Sequence, residues 1–149
     1  MSSVKRQTTA SSQQDGVSSQ PVETHPFEPF LPEGCRLLML GSFPPSEKRW
    51  SMRFFGLCFF NDKLRFVDAT AKSFCLEPIK AFLTTCGIGL YDTATAVRRL
   101  KNTASDKDLE VVQPTDLQGM VRKLPQLTDI VTTGQKATDV LCLCFGIAE

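Results

Sequence analysis

Residues 36–41 read Arg-Leu-Leu-Met-Leu-Gly, a short unbroken apolar run that stops at Gly41. A run of this length with no polar alternation predicts a strand buried on both faces, as in a parallel sheet. Over residues 77–86 the period becomes helical. Ile79, Phe82 and Leu83 share one face, Pro78 suits the first turn and Gly87 follows as a stop. A second short strand is predicted from Ile88 through Tyr91, ending at Asp92. Thr115 or Asp116 suits the N-cap of a helix that runs through Val121 and Leu124 and is closed by Pro125. Residues 129–133 predict a third strand, Gly134 follows at once, and residues 135–145 predict a helix stopped by Gly146. Strands and helices that alternate through short connections predict an α/β fold, a parallel sheet with helices on both faces. Such sheets bind ligands beyond the carboxyl ends of their strands. Here those ends are Gly41-Ser42, Asp92-Thr93 and Thr133-Gly134.

The flanking segments break this pattern. Residues 1–24 are mostly Ser, Gln, Thr and Val, too polar to offset their ordering entropy, and are expected to form a disordered tail ahead of a domain at residues 25–149. Residues 24–32 carry Pro26, Pro29 and Pro32, a spacing that forbids a helix and favours an extended strap pinned by Phe27 and Phe30.

Composition narrows the class. At 149 residues, 42% apolar and 22% charged, the chain suits one globular domain. No apolar run reaches the roughly 18 residues that span a bilayer, and the N-terminus has no apolar signal core, so a soluble cytoplasmic protein without a membrane partner is expected. The net charge of +1 supplies no whole-molecule attraction to nucleic acid. Local basic groups stand at Lys48-Arg49 with Arg53, at Arg98-Arg99 with Lys101 and at Arg122-Lys123; each matters for binding only if they converge on one surface. The six cysteines contain no C-x-x-C pair, and His25 is the single histidine, which favours reduced structural thiols over a metal site.

The loop Gly41-Ser42-Phe43-Pro44-Pro45 carries the most chemistry. Phosphate-cradling loops aim backbone N–H groups at oxygens. Pro44 and Pro45 have none to offer, so this is no nucleotide loop but a stiff ledge holding Ser42 and Phe43 in fixed poses. Such a ledge suits the stacking of a flat ligand; the competing reading is a simple turn with Phe43 in the core. A second segment, residues 87–99, is expected to join a strand to a helical turn. The third, residues 131–137, sets Gly134 at a helix N-terminus where an anionic backbone could dock.

These three segments, in this order, resemble the uracil-DNA glycosylase superfamily, closest to its mismatch-specific and hypoxanthine-DNA glycosylase branch. The resemblance covers about residues 24–149. It implies a three-layer α/β/α sandwich with a four-stranded central parallel sheet, and hydrolysis of the N-glycosidic bond of a deaminated base in DNA by a monomer needing no cofactor and no metal. Damaged or mismatched duplex DNA is the implied partner. Carried onto this chain, the resemblance makes Gly41, Ser42, Phe43 and Pro44 the base-binding wall, with Phe43 stacking on the base, and sets Gly134 and Lys136 near the DNA backbone. Many relatives place a water-positioning Asn third in the first loop, where this chain has Phe43. Asn61 stands at the distance used by the hypoxanthine branch and is the catalytic candidate; in another register it is a polar loop cap. The resemblance also implies a last strand and a DNA-wedging loop after Glu149, so the domain is expected to be incomplete, either an active enzyme or an inactive remnant that still binds DNA or a base. A hydrolase built on Ser42 lacks a base, because His25 lies in the distant strap and no G-x-S-x-G elbow is present.

Overall fold

A computed structural model describes residues 20–49, 76–103 and 105–148. The apolar run becomes strand β2 (Leu37–Gly41), after a short β1 (Val22–Thr24). Helix α1 (Leu76–Cys86) leads into β3 (Ile88–Asp92), β4 (Ala94–Arg99) and β5 (Leu109–Pro114). Helix α2 (Leu117–Arg122), β6 (Asp129–Thr132) and α3 (Gln135–Phe145) complete the order.

Two three-stranded sheets result. The parallel sheet has the order β3-β2-β6, with Gly41 opposite Asp92 and Leu40 opposite both Tyr91 and Thr132. The expected α/β architecture, a parallel sheet with packed helices, is therefore present. Within β2, Leu38 and Leu40 are fully buried on one face, where they join Tyr91, Leu117 and Met120 and the partly buried Ile130, Leu141 and Phe145. Burying one such leucine side chain contributes about 1.5–3 kcal/mol, and this cluster fixes α2 and α3 against the sheet. Gln118 on α2 adds a hydrogen bond to the Cys144 carbonyl on α3 at 2.7 Å. Asp116, not Thr115, caps α2, its carboxylate accepting from the Gly119 N–H at 2.9 Å. The α3 stop at Gly146 takes the left-handed conformation, φ 63°, that favours glycine, and its N–H closes on the Cys142 and Leu143 carbonyls.

The second sheet is antiparallel, order β1-β4-β5, and corrects two expectations. Residues 94–99 form a strand rather than a helical turn, because Ala94, Ala96 and Val97 bury themselves between two partner strands while Arg98 and Arg99 reach outward to carboxylates. The tail expected through Thr24 ends sooner, since Val22–Thr24 pairs with Ala96, Val97 and Arg98; backbone pairing, not side-chain burial, orders this polar stretch. Phe43, Ala94, Val97 and Leu109 make a separate core beneath this sheet. The strap behaves as expected: Phe30 and Leu90 exchange both backbone hydrogen bonds, at 3.0 and 2.8 Å.

Among the described residues, no helix is long and apolar enough to cross a membrane, and no cluster of His, Cys, Asp and Glu could hold a metal ion. Cys35, Cys86, Cys142 and Cys144 are free thiols. Burial raises the Cys35 and Cys144 pKa values above the ordinary thiol range.

Candidate functional site at the strand ends

The sheet order puts the first parallel strand, β2, between the second and third. The chain leaves β2 for β3 on one side and later returns to β6 on the other, which opens a crevice at the carboxyl ends of β2 and β6. Gly41 sits in this crevice. A side chain there would collide with Asp92 Oδ1 and would lie 3.6 Å from Thr133 Oγ1, so the missing Cβ lets the ends of all three strands converge. The backbone locks the convergence: Thr93 N–H donates to the Gly41 carbonyl at 2.8 Å, Thr133 N–H to Leu40 at 2.9 Å, and Thr115 N–H to Thr93 at 2.9 Å. Thr115 Oγ1 donates to the Asp92 carbonyl at 2.7 Å, tying the start of α2 to the same point.

His25 reaches this point from the strap. Its Nε2 lies 2.8 Å from Asp92 Oδ2, with the two side chains 2% and 13% exposed. The Phe27 N–H donates to Nδ1 at 3.1 Å, so in the neutral ring the proton sits on Nε2 and is donated to Asp92. Aromatic rings hold the imidazole on several sides. Tyr91 lies 4.6 Å away at a 37° tilt, Phe43 edge-on at 5.4 Å and Phe27 edge-on at 6.1 Å. The Tyr91 phenol is pushed above its ordinary pKa, first by burial and then by the charges of Asp92 and Glu28.

The ledge after β2 is clamped from the antiparallel sheet. Arg99 Nη2 donates to the Pro44 carbonyl at 2.6 Å, its Nε pairs with Glu23 at 3.0 Å, and its guanidinium carbon stands 5.7 Å from the centre of the Phe43 ring. Phe43 is only 8% exposed and belongs to the second core. It still borders an open groove of about 510 Å³ running between β1, Pro26, the ledge through Glu47 and Arg99. Ser42 is buried, and its carbonyl accepts from the Ala94 N–H at 3.2 Å.

Of the sequence-derived candidates, Gly41, Ser42, Phe43 and Pro44 form this ledge, and Gly134 with Lys136 opens α3 on the β6 side of the crevice. Lys136 Nζ donates to the Leu109 carbonyl at 2.6 Å, which ties α3 to β5. The Asp106 carboxylate lies 3.5 Å from where a Gly134 side chain would begin, beside the helix N-terminus. Asn61 lies outside the described residues. Arg98 is paired with Glu110 at 3.4 Å, so the Arg98-Arg99 cluster is spent largely on carboxylates and the ledge. Sequence reasoning missed the His25–Asp92 pair and the Arg99 clamp. Asp92 had a signal, its place at a strand end. His25 and Arg99 had none, because their partners lie 67, 76 and 55 residues away.

The architecture defines an α/β protein with its polar cluster at the switch point of a parallel sheet. Its structure is similar to the solution NMR structure of a candidate uracil DNA glycosylase from Methanosarcina acetivorans. The TM-score is 0.63 at 25% sequence identity, covering 85% of this chain and 79% of that chain. This likeness supports the superfamily-level resemblance carried by the three strand-end segments. No family model matches the sequence, and no curated protein matches it at a significant level.

Proposed function

We propose that this protein is a monofunctional DNA glycosylase that hydrolyses the N-glycosidic bond of a deaminated base, uracil or hypoxanthine, flipped out of DNA. The observation that carries this reading is the structural likeness to the archaeal protein over 85% of the chain. The physical logic is base flipping: unstacking costs a few kcal/mol, least at a mispaired base, and a pocket must recover it. The ledge and its groove are suited to that task. Phe43 and Pro44 line the groove, with Gly41 and Ser42 behind them at the end of β2, and a base entering it meets the Phe43 ring where the Arg99 guanidinium now lies. Gly134 and Lys136 stand across the crevice, on the side assigned to the DNA backbone.

The test is a glycosylase assay on duplexes carrying uracil or hypoxanthine opposite each base, with alkali used to reveal abasic sites. The expected result is cleavage of at least one substrate after alkali, with no adduct trapped by borohydride. A folded protein, judged by circular dichroism, that leaves every duplex intact refutes the reading. A second reading, binding without turnover, is favoured by one observation: Phe43 is 8% exposed beneath Arg99. It predicts a measurable Kd for damaged duplex with no abasic product.

A further inference from the structure

We propose that Asp92, held by His25, is the carboxylate that positions the attacking water, and that His25 is its positioning residue. This rests on the glycosylase reading above. Three observations converge on it. Asp92 ends β3 at the crevice where the three strand ends meet, as expected of a catalytic group on a parallel sheet. Its two oxygens are differentiated: Oδ2 takes the His25 hydrogen bond at 2.8 Å, while Oδ1 lies over Gly41, where a side chain would otherwise stand, and no hydrogen bond to it is made by the described residues. A carboxylate with one oxygen anchored and one available is the arrangement that orients a water and accepts its proton. The carboxylate is also largely withdrawn from solvent, where a fixed charge acts more strongly on a developing cation than it does in water.

His25 is built for orientation. Its Nδ1 is occupied by the Phe27 N–H, its Nε2 is spent on Asp92, and Tyr91, Phe27 and Phe43 fix the plane of the ring. With both ring nitrogens engaged, it is no free base for Ser42.

The step balances as follows. Water oxygen forms a bond to the anomeric carbon as the glycosidic C–N bond breaks. The electron pair of that bond leaves with the base, which becomes an anion and takes up a proton from solvent. Asp92 Oδ1 accepts the water's proton, and its negative charge faces the oxocarbenium-like sugar.

The experiment compares wild type, Asp92→Asn, His25→Ala, His25→Gln and Asn61→Ala on the substrate duplex the wild type cleaves. Each is measured for single-turnover rate and for Kd on the same duplex with an uncleavable sugar analogue. Asp92→Asn keeps the shape and the acceptor for His25 while removing the charge, so its rate is expected to fall roughly 100-fold or more with Kd within about threefold. His25→Ala is expected to lose roughly 10- to 100-fold through misplacement of the carboxylate, and His25→Gln, whose amide N–H can still reach Oδ2, to recover much of it. An Asp92→Asn rate equal to wild type overturns the inference while leaving the glycosylase reading intact. So does loss of turnover in Asn61→Ala with Asp92→Asn unaffected. An inactive but folded wild type overturns both.

Discussion

Removing the Arg99 side chain should loosen the ledge that forms one wall of the site. In Arg99→Ala the protein loses a charged donor to the Pro44 carbonyl at 2.6 Å, a hydrogen bond worth about 1.5–3 kcal/mol. The Glu23 partner is 41% exposed, so solvent screens that ion pair and its loss adds only about 0.2–1 kcal/mol. The guanidinium over Phe43 stands near the outer limit for a cation–π contact at 5.7 Å, worth about 0.5–1 kcal/mol. These three share one side chain and do not add in full, so the expected destabilisation is about 2–4 kcal/mol. At roughly 3 °C per kcal/mol for a chain of this size, Tm should fall by roughly 6–12 °C. The measurement is urea unfolding followed by far-ultraviolet circular dichroism, with Glu23→Gln and Arg99→Lys alongside. Glu23→Gln should cost no more than about 1 kcal/mol. Arg99→Lys should fall between, because one ammonium cannot serve Glu23 and Pro44 as a planar fork does. A cost for Arg99→Ala below about 1 kcal/mol, or one matched by Glu23→Gln, would refute the clamp.

Two further predictions use the same apparatus. Thr93 is fully buried and its hydroxyl has no hydrogen-bond partner among the described residues, so Thr93→Val should leave stability unchanged or raise it by about 1 kcal/mol; a clear loss would mean that the hydroxyl is partnered. The raised Tyr91 pKa means that the folded state holds the phenol proton after the unfolded chain, at 10.0, has released it. Its contribution to stability is therefore whole below pH 10.0 and is lost as pH rises through 10.0 toward the folded value. Urea midpoints taken from about pH 8 to about pH 11 should fall less steeply in Tyr91→Phe than in wild type, and parallel slopes would contradict the assignment.

The parallel sheet was legible because its signals are local. The unbroken apolar run of β2, the helical spacing of α1 and α3 and the stops at Gly87 and Gly146 each reside in a few consecutive residues, and the observed elements match them to within a residue at most ends. That the strand ends were the place to look followed from the same pattern, while the strand order that makes β2 and β6 flank the switch point came only from the sheet topology; the ledge was also legible, since two consecutive prolines fix backbone angles wherever they stand. The antiparallel sheet was not legible. Residues 94–99 read Ala-Thr-Ala-Val-Arg-Arg, small side chains followed by two basic ones with no long apolar run, β5 ends in Pro114, and β1 sits in a polar stretch. Their strand state comes from pairing with segments distant in the chain, which local propensity does not encode.

The same division runs through the site. Sequence alone determined that this chain builds a parallel sheet, that its strands end at Gly41, Asp92 and Thr133-Gly134, and that the first of these ends carries a rigid aromatic ledge. Only the tertiary structure decided what surrounds that ledge. It brought His25 onto Asp92 across 67 residues, set Arg99 over Phe43 and against Pro44, and made Gly41 the space into which a carboxylate turns. The reason is physical: periodicity and turn chemistry act over a few residues, whereas a hydrogen bond between buried polar groups forms only where separate elements are packed together, and packing belongs to the whole fold.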